Sequence, residues 1–240
     1  MDTGSKLLYQ TDSYLKEYEG EVVRASGDLL FFNATIFHPR SGGVECDKGL
    51  LTYNGERVEV VEVFFDKDSG DVAHKVSRQV NLTPGTRVKM FIDWERRYRL
   101  MRLHTAAHII SALMYTNYGA LVSGGNISSD YAYDDYTLEK FDKDLFLSAI
   151  EEANRVAKRD LEVKIYWLPR EQALNIPGVV KLATKMPPSV SVLRIVEIPG
   201  IDIQADGGPH VRRTSEIGEI VFIKAENRGK NKKRMYFTVK

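Results

Sequence analysis

From about residue 20 to residue 93 the sequence never sustains a helical repeat; it runs in short β-branched and aromatic stretches separated by turn residues. That pattern restricts the region to an antiparallel sheet or a small barrel. The stretches are Glu21 to Arg24, Leu29 to Phe37, Leu50 to Tyr53, Arg57 to Asp66, Val72 to Val76 and Arg87 to Ile92. Asn54-Gly55 between two of them predicts a hairpin, because a type I′ turn needs positive φ at both central positions. Asp68-Ser69-Gly70 and Thr83-Pro84-Gly85 mark further turns.

At Trp94 the period changes, and Arg102, Leu103, Ile109, Ile110, Leu113 and Met114 recur at helical spacing. The chain of 240 residues has room for two domains of ordinary size, so the expected division is 1–93, a β domain, and 94–240. A second helix is predicted from Leu145 to Arg159, with Phe146, Ile150, Ala153 and Val156 on one stripe. Strands are expected at Val163 to Trp167, Val190 to Ile198, Glu219 to Asn227 and Met235 to Val239, the last two joined by a turn at Gly229-Lys230-Asn231. Strands following helices give the second domain an α+β reading.

A hydrophobic fraction of 43% allows a core without cross-links, and the one cysteine, Cys46, excludes an internal disulfide framework. The polar, acidic start and the lack of any stretch near the roughly 20 apolar residues of a membrane span point to a cytoplasmic protein with no membrane partner. A net charge of +1 argues against attachment to nucleic acid by bulk electrostatics. Two local patches remain: Arg96, Arg97, Arg99 and Arg102, and the C-terminal group Lys224, Arg228, Lys230, Lys232, Lys233 and Arg234. Each is either a solvated face or a phosphate contact.

His104 and His108 stand four residues apart on the predicted helix, so both imidazoles lie on one face and can converge on one metal ion. The same spacing also occurs at ordinary polar positions. The zinc-protease motif places glutamate directly after its first histidine, where this chain has Thr105, so a peptidase is disfavoured. Asp206-Gly207-Gly208-Pro209-His210 forms a second signal, a tight turn that brings a carboxylate and an imidazole together, or else a plain surface turn. The two segments jointly offer three histidines and one carboxylate, a set suited to zinc. Only five histidines occur in the chain; His38 and His74 look like ordinary polar positions.

These segments resemble the editing domain of alanyl-tRNA synthetase and its free-standing relatives, the AlaX proteins. His104 to His108 is similar to the family's first metal motif and Asp206 to Val211 to its second. Phe37-His38-Pro39-Arg40-Ser41-Gly42-Gly43, with Asp47 and Gly49, resembles its glycine-rich segment. Arg194 to Ile198 leading to Gly200, Asp202 and Gln204, then Thr214 to Gly218, resembles the frame of the second motif. The match runs in the family's order from about Phe37 to the C-terminus. Synthetase-type domains usually carry cysteine where Asp206 stands, and a hydroxyl-bearing position of the first motif is Ala107 here.

The resemblance implies a small N-terminal antiparallel β-barrel followed by an α/β two-layer editing domain, with a metal site between a helix and a sheet. It implies one Zn²⁺ per chain held by His104, His108 and His210, with Asp206 either a fourth ligand or the catalytic group that orients water. The implied reaction is ATP-independent hydrolysis of the ester on tRNA(Ala) mischarged with serine or glycine. Candidates for contact with the serine hydroxyl are Thr105, Asn126 and Ser128. Candidates for contact with tRNA are Ser41, Gly42 and Gly43, whose backbone a phosphate could approach, with Arg96, Arg97, Arg99, Lys230, Lys232 and Lys233. Two rival readings are a non-catalytic tRNA-binding module with structural zinc and a metallohydrolase acting on a small ester.

Overall fold

The computed structural model describes residues 4–179, 181, 183 and 190–240. The chain divides into two compact units, Met1–Tyr98 and Arg99–Lys240.

The first unit begins with β1 (Lys6–Leu7) and a single helical turn, α1 (Leu8–Thr11). There follow β2 (Glu17–Ser26), β3 (Leu29–Phe32), β4 (Ala34–Thr35), β5 (Gly49–Tyr53), β6 (Glu56–Phe65), β7 (Val72–Val76) and β8 (Arg87–Ile92). Six of these strands close into a barrel in the order β2-β3-β7-β6-β5-β8, every pair antiparallel. Short β1 and β4 pair in parallel beside it.

Alternation drives the closure. Along β6, Val58, Val60 and Val63 are buried while Arg57, Glu59, Val61 and Glu62 face water, the period-2 pattern of a strand with one face on a core, offset once where the pairing with β7 slips between Val60 and Glu62. Leu30, Phe32, Leu51, Val72, Val88 and Met90 fill the interior with them. Asn54 and Gly55, at φ 47° and 81°, make the hairpin between β5 and β6 as the sequence demanded. The stretch read as one strand from Leu29 to Phe37 breaks instead at Asn33, whose side-chain oxygen accepts the amide of Glu21.

Helix α2 (Trp94–Tyr118) opens where Asp93 accepts the amide of Arg96, a side-chain cap. From Leu100 to Met114 its apolar residues are buried on every side, Leu103, Ile109 and Ile110 completely, as in a helix enclosed within a core. After it come β9 (Val122–Ile127), β10 (Ala132–Tyr136), α3 (Lys143–Ala157), β11 (Lys164–Pro169), a short α4 (Arg170–Leu174), β12 (Val192–Ile198), β13 (Asp202–Ala205), a 3-10 turn at Thr214–Ile217, β14 (Ile220–Asn227) and β15 (Lys233–Val239). They form a four-stranded sheet, β14-β15-β10-β9, and a three-stranded sheet, β11-β12-β13, both antiparallel.

Asp142 caps α3 by accepting the amides of Asp144 and Leu145, and the helix buries Phe146, Ala149, Ile150 and Ala153. Asn154 of α3 ties itself to both backbone groups of Ile220 in β14, at 2.8 Å each. Strands β9 and β10 are absent from the sequence reading. Ser123-Gly124-Gly125-Asn126 and Asp134-Asp135 have poor strand propensity. They are held by their partners: Arg234 and Lys232 of the neighbouring β15 region grip Asp135 at 2.7 and 2.9 Å. Among the described residues, no helix is long and apolar enough to cross a membrane.

Candidate metal centre

His104 and His108 occupy successive turns of α2, so their rings project from one face. Asp206 and His210 sit in the loop that leaves β13. Arg194 of β12 fixes the start of that loop, its Nη1 donating to the Asp206 carbonyl at 2.8 Å while the Asp206 amide donates to the Arg194 carbonyl at 3.1 Å. The Asp206 carboxylate then accepts the amide of Gly208 at 2.7 Å, folding the turn onto itself. Gly208 is required by space: a Cβ there would lie 2.6 Å from Cε1 of His104.

One ligand atom from each of His104, His108, Asp206 and His210 falls within 4.8 Å of all the others, a group that could hold a metal ion. The three histidines are buried, and their ring centroids are 4.1 to 4.9 Å apart. Each ring has its Nδ1 held from behind. His104 Nδ1 lies 3.3 Å from the Pro209 carbonyl, His108 Nδ1 2.9 Å from Oδ2 of Asp202, and His210 Nδ1 3.0 Å from Oγ1 of Thr105.

A carbonyl and a carboxylate only accept, so the first two Nδ1 atoms carry the proton. The Thr105 hydroxyl donates to the Met101 carbonyl at 2.9 Å, so its oxygen accepts from the third. All three imidazoles thereby keep Nε2 as the basic nitrogen: His210 Nε2 lies 3.1 Å from Oδ2 of Asp206 and His104 Nε2 3.6 Å from Oδ1, and His108 belongs to the same group. This donor set fits a cation that favours nitrogen and oxygen ligands.

The electrostatics follow the crowding. Burial and the neighbouring charge of His104 hold His210 well below the usual histidine value. Burial opposes the charged form of Asp206, yet the surrounding imidazoles, His104 foremost, hold its carboxyl well below the usual range. At His108 burial is outweighed by the hydrogen bond and charge of Asp202, which raise it. Asp134, on β10, is pushed up to about 7 by burial, against the hydrogen bond of the Tyr136 hydroxyl and the charge of His108.

Of the other residues singled out in the sequence, Thr105 touches the group, at His210. Thr105 is fully buried with its hydroxyl engaged by Met101, His210 and the Val211 amide, so it orients a histidine. Asn126 pairs with Tyr133, whereas Asp134 pairs with Gly125, so Asn126 and Asp134 lie on opposite faces of the four-stranded sheet. Ser128 bonds the backbone of Tyr131 in the turn between β9 and β10.

The arginines expected to meet phosphates hold groups of the protein itself, Arg97 buried and Arg96 and Arg99 half-buried. Arg96 holds Glu45 at 2.7 Å and the Cys46 carbonyl at 3.1 Å. Arg97 is completely buried against Asp47 and the carbonyls of Ser13 and Ile36. Arg99 binds the carbonyls of Ser129 and Val239. Lys233 is buried too, its ammonium capping the carbonyls of Gly229 and Lys230. Lys230 is exposed, Lys232 is half-buried against Asp135, and Ser41-Gly42-Gly43 form an exposed tight turn closed between Ser41 and Val44. Lys181 and Asp134 carry no signal in the sequence, and Asp202, named there only as part of the second motif's frame, recurs with Gln204 and Asp206 at every second position on the approach to the turn, a one-sided polar strand pattern.

The Threonyl and Alanyl tRNA synthetase second additional domain matches residues 193–236, which carry both Asp206 and His210. Fold and site together thus define a protein of the synthetase editing class. The chain is 53% identical over 97% of its length to alanyl-tRNA editing protein AlaX-M of Saccharolobus solfataricus, 98% of which is covered. It is 36% identical over 98% of its length to the AlaX-M of Methanosarcina barkeri, 99% of which is covered. It belongs to the AlaX-M family of alanyl-tRNA editing proteins. Alanine–tRNA ligase of Staphylothermus marinus is 37% identical over 92% of the chain, a match that spans 24% of that enzyme.

Proposed function

We propose that the protein is a trans-editing aminoacyl-tRNA deacylase: it hydrolyses the ester that joins serine, and secondarily glycine, to tRNA(Ala). In this reading residues 1–93 are a barrel domain carrying the glycine-rich turn, and residues 94–240 are an α/β two-layer editing domain. The observation that carries it is the common orientation of the three imidazoles, each with Nδ1 tied back and Nε2 turned to a shared point. The names of the relatives supply the substrate class.

Zinc at this group would supply a Lewis acid able to polarise an ester carbonyl or to bring the pKa of water near neutrality. His104, His108 and His210 would hold it. Asp206 has Oδ2 engaged by the Gly208 amide, while Oδ1 faces His104, so this second oxygen is the one available either to ligate or to orient water. Serine is accepted and alanine spared by a hydrogen bond to the serine hydroxyl, since a site built for that bond rejects the analogue lacking it. With Thr105 committed to His210, that bond falls to another residue. Contacts to tRNA fall to the Ser41–Gly43 turn and to Lys230 and Lys232.

The test is to incubate the protein with seryl-tRNA(Ala) and alanyl-tRNA(Ala), with and without a chelator. Deacylation of the seryl ester alone, lost on chelation and regained with zinc, is the expected outcome. Survival of both esters in every condition overturns the reading, and hydrolysis of a small seryl ester that free tRNA does not inhibit would favour the small-ester hydrolase.

A further inference from the structure

We infer that Asp202 and Lys181 form a positioning pair that sets how tightly the histidine group holds its metal, by fixing the imidazole of His108. The inference rests on the metal reading of the group and adds residues that stand behind it.

The three Nδ1 acceptors are unequal. His104 has a carbonyl and His210 a hydroxyl, but His108 has a carboxylate, at the shortest of the three distances, 2.9 Å. A carboxylate on the far nitrogen fixes ring orientation and tautomer and raises the basicity of the near one, and losing such a partner weakens metal binding by about 10- to 100-fold.

Asp202 is held with more care than packing requires. Its side chain is 0% exposed. Lys181, itself buried, donates to Oδ1 at 2.7 Å and spends its other hydrogens on the carbonyls of Gly178 and Ile203, at 2.7 and 3.0 Å. All three ammonium hydrogens are therefore used, which fixes the ammonium in one place. Gln204 donates to Oδ2 at 3.1 Å and reaches the hydroxyl of Ser111 at 3.3 Å, and Ser111 donates to the backbone carbonyl of His108 at 3.0 Å. The ring and the backbone of His108 are thus joined through one closed circuit of hydrogen bonds.

Stability alone does not account for this arrangement. A buried ion pair is commonly no better than two apolar residues of like size, whereas removing a single partner leaves an uncompensated charge. What the pair does supply is a fixed acceptor at the back of one ligand.

The experiment follows from that asymmetry. Asp202→Leu combined with Lys181→Met removes both charges and leaves neither stranded. Zinc affinity is read by competition with a chromophoric chelator, beside the melting temperature of the metal-free protein. The expected result is a metal-free melting temperature near that of wild type with zinc bound 10- to 100-fold more weakly. Wild-type zinc affinity in the folded double variant overturns the proposal. A second measurement needs no variant: ¹⁵N shifts of the zinc-loaded wild type should show His108 protonated at Nδ1, and protonation at Nε2 instead overturns it equally. Should the wild type bind no zinc at all, the metal reading itself falls, an outcome distinct from wild-type binding that the double variant leaves unchanged.

Discussion

The barrel and the second unit both bury histidines and charged groups, but they direct them differently. In the barrel, His74 is enclosed with one nitrogen 2.7 Å from Thr35 Oγ1 and the other 3.2 Å from the Leu30 carbonyl. Arg97 and Asp47 neutralise each other and take up nearby backbone groups, Asp47 also accepting the amide of His38. In the second unit the fold holds the backs of three histidines and groups them about one carboxylate, with Nε2 of His104 and His210 facing it. His74, Arg97 and Asp47 close their own hydrogen bonds, whereas the three histidines of the second unit converge on a shared carboxylate. That distinction, more than burial or residue type, separates a structural histidine from a candidate ligand.

The comparison can be broken most forcefully at His210. Replacement by alanine should abolish both metal content and deacylation, as read by elemental analysis and release of serine from tRNA; full zinc content would remove His210 from the ligand set. Arg97→Met should leave the metal untouched but strand Asp47 in the barrel, at a cost of about 3–5 kcal/mol in a denaturant melt.

The two regions should also answer pH in opposite directions. Burial holds His74 at about 4, so below its unfolded value near 6.5 the unfolded chain takes up a proton that the barrel refuses. Stability should fall as pH drops through that window, by on the order of 3 kcal/mol. Asp134 is raised to about 7, so between about pH 4 and 7 the folded unit keeps a proton that the unfolded chain has released. There stability declines as pH rises, and Asp134→Asn should flatten that slope. Hydrogen exchange resolved by region would show both trends in one sample.

The smallest effect is expected at the exposed turn. Gly42 has φ 60° with nothing within 4 Å of a would-be Cβ, so Gly42→Ala should cost only the backbone strain, about 1–2 kcal/mol. A much larger loss of deacylation than of stability would mark that turn as a substrate contact.

Local spacing made much of this legible. The i, i+4 histidines, the turn from Asp206 to His210, the Asn54-Gly55 hairpin and the bounds of β7 and β8 all depend on neighbours in the chain. What stayed hidden depends on partners far away. Arg97 looks like a phosphate contact until Asp47, fifty positions earlier, is seen against it. Thr105 looks like a substrate donor until His210 arrives from the other end of the unit. Strands β9 and β10 have weak propensity of their own and are held by cross-strand pairing with β15. Asp202 reads only as part of the frame of the second motif, because its partner is a ring nitrogen ninety-four positions before it.

The separation between His104 and His210 has a consequence of its own. A cation gripped by both would cross-link the chain across roughly a hundred residues, as a disulfide does in a protein with more than one cysteine. By chain-entropy arithmetic a tie of that span withdraws about 4–5 kcal/mol of freedom from the unfolded ensemble, so the ion would act as a clasp as well as a reagent, and stripping it should loosen the second unit long before the barrel.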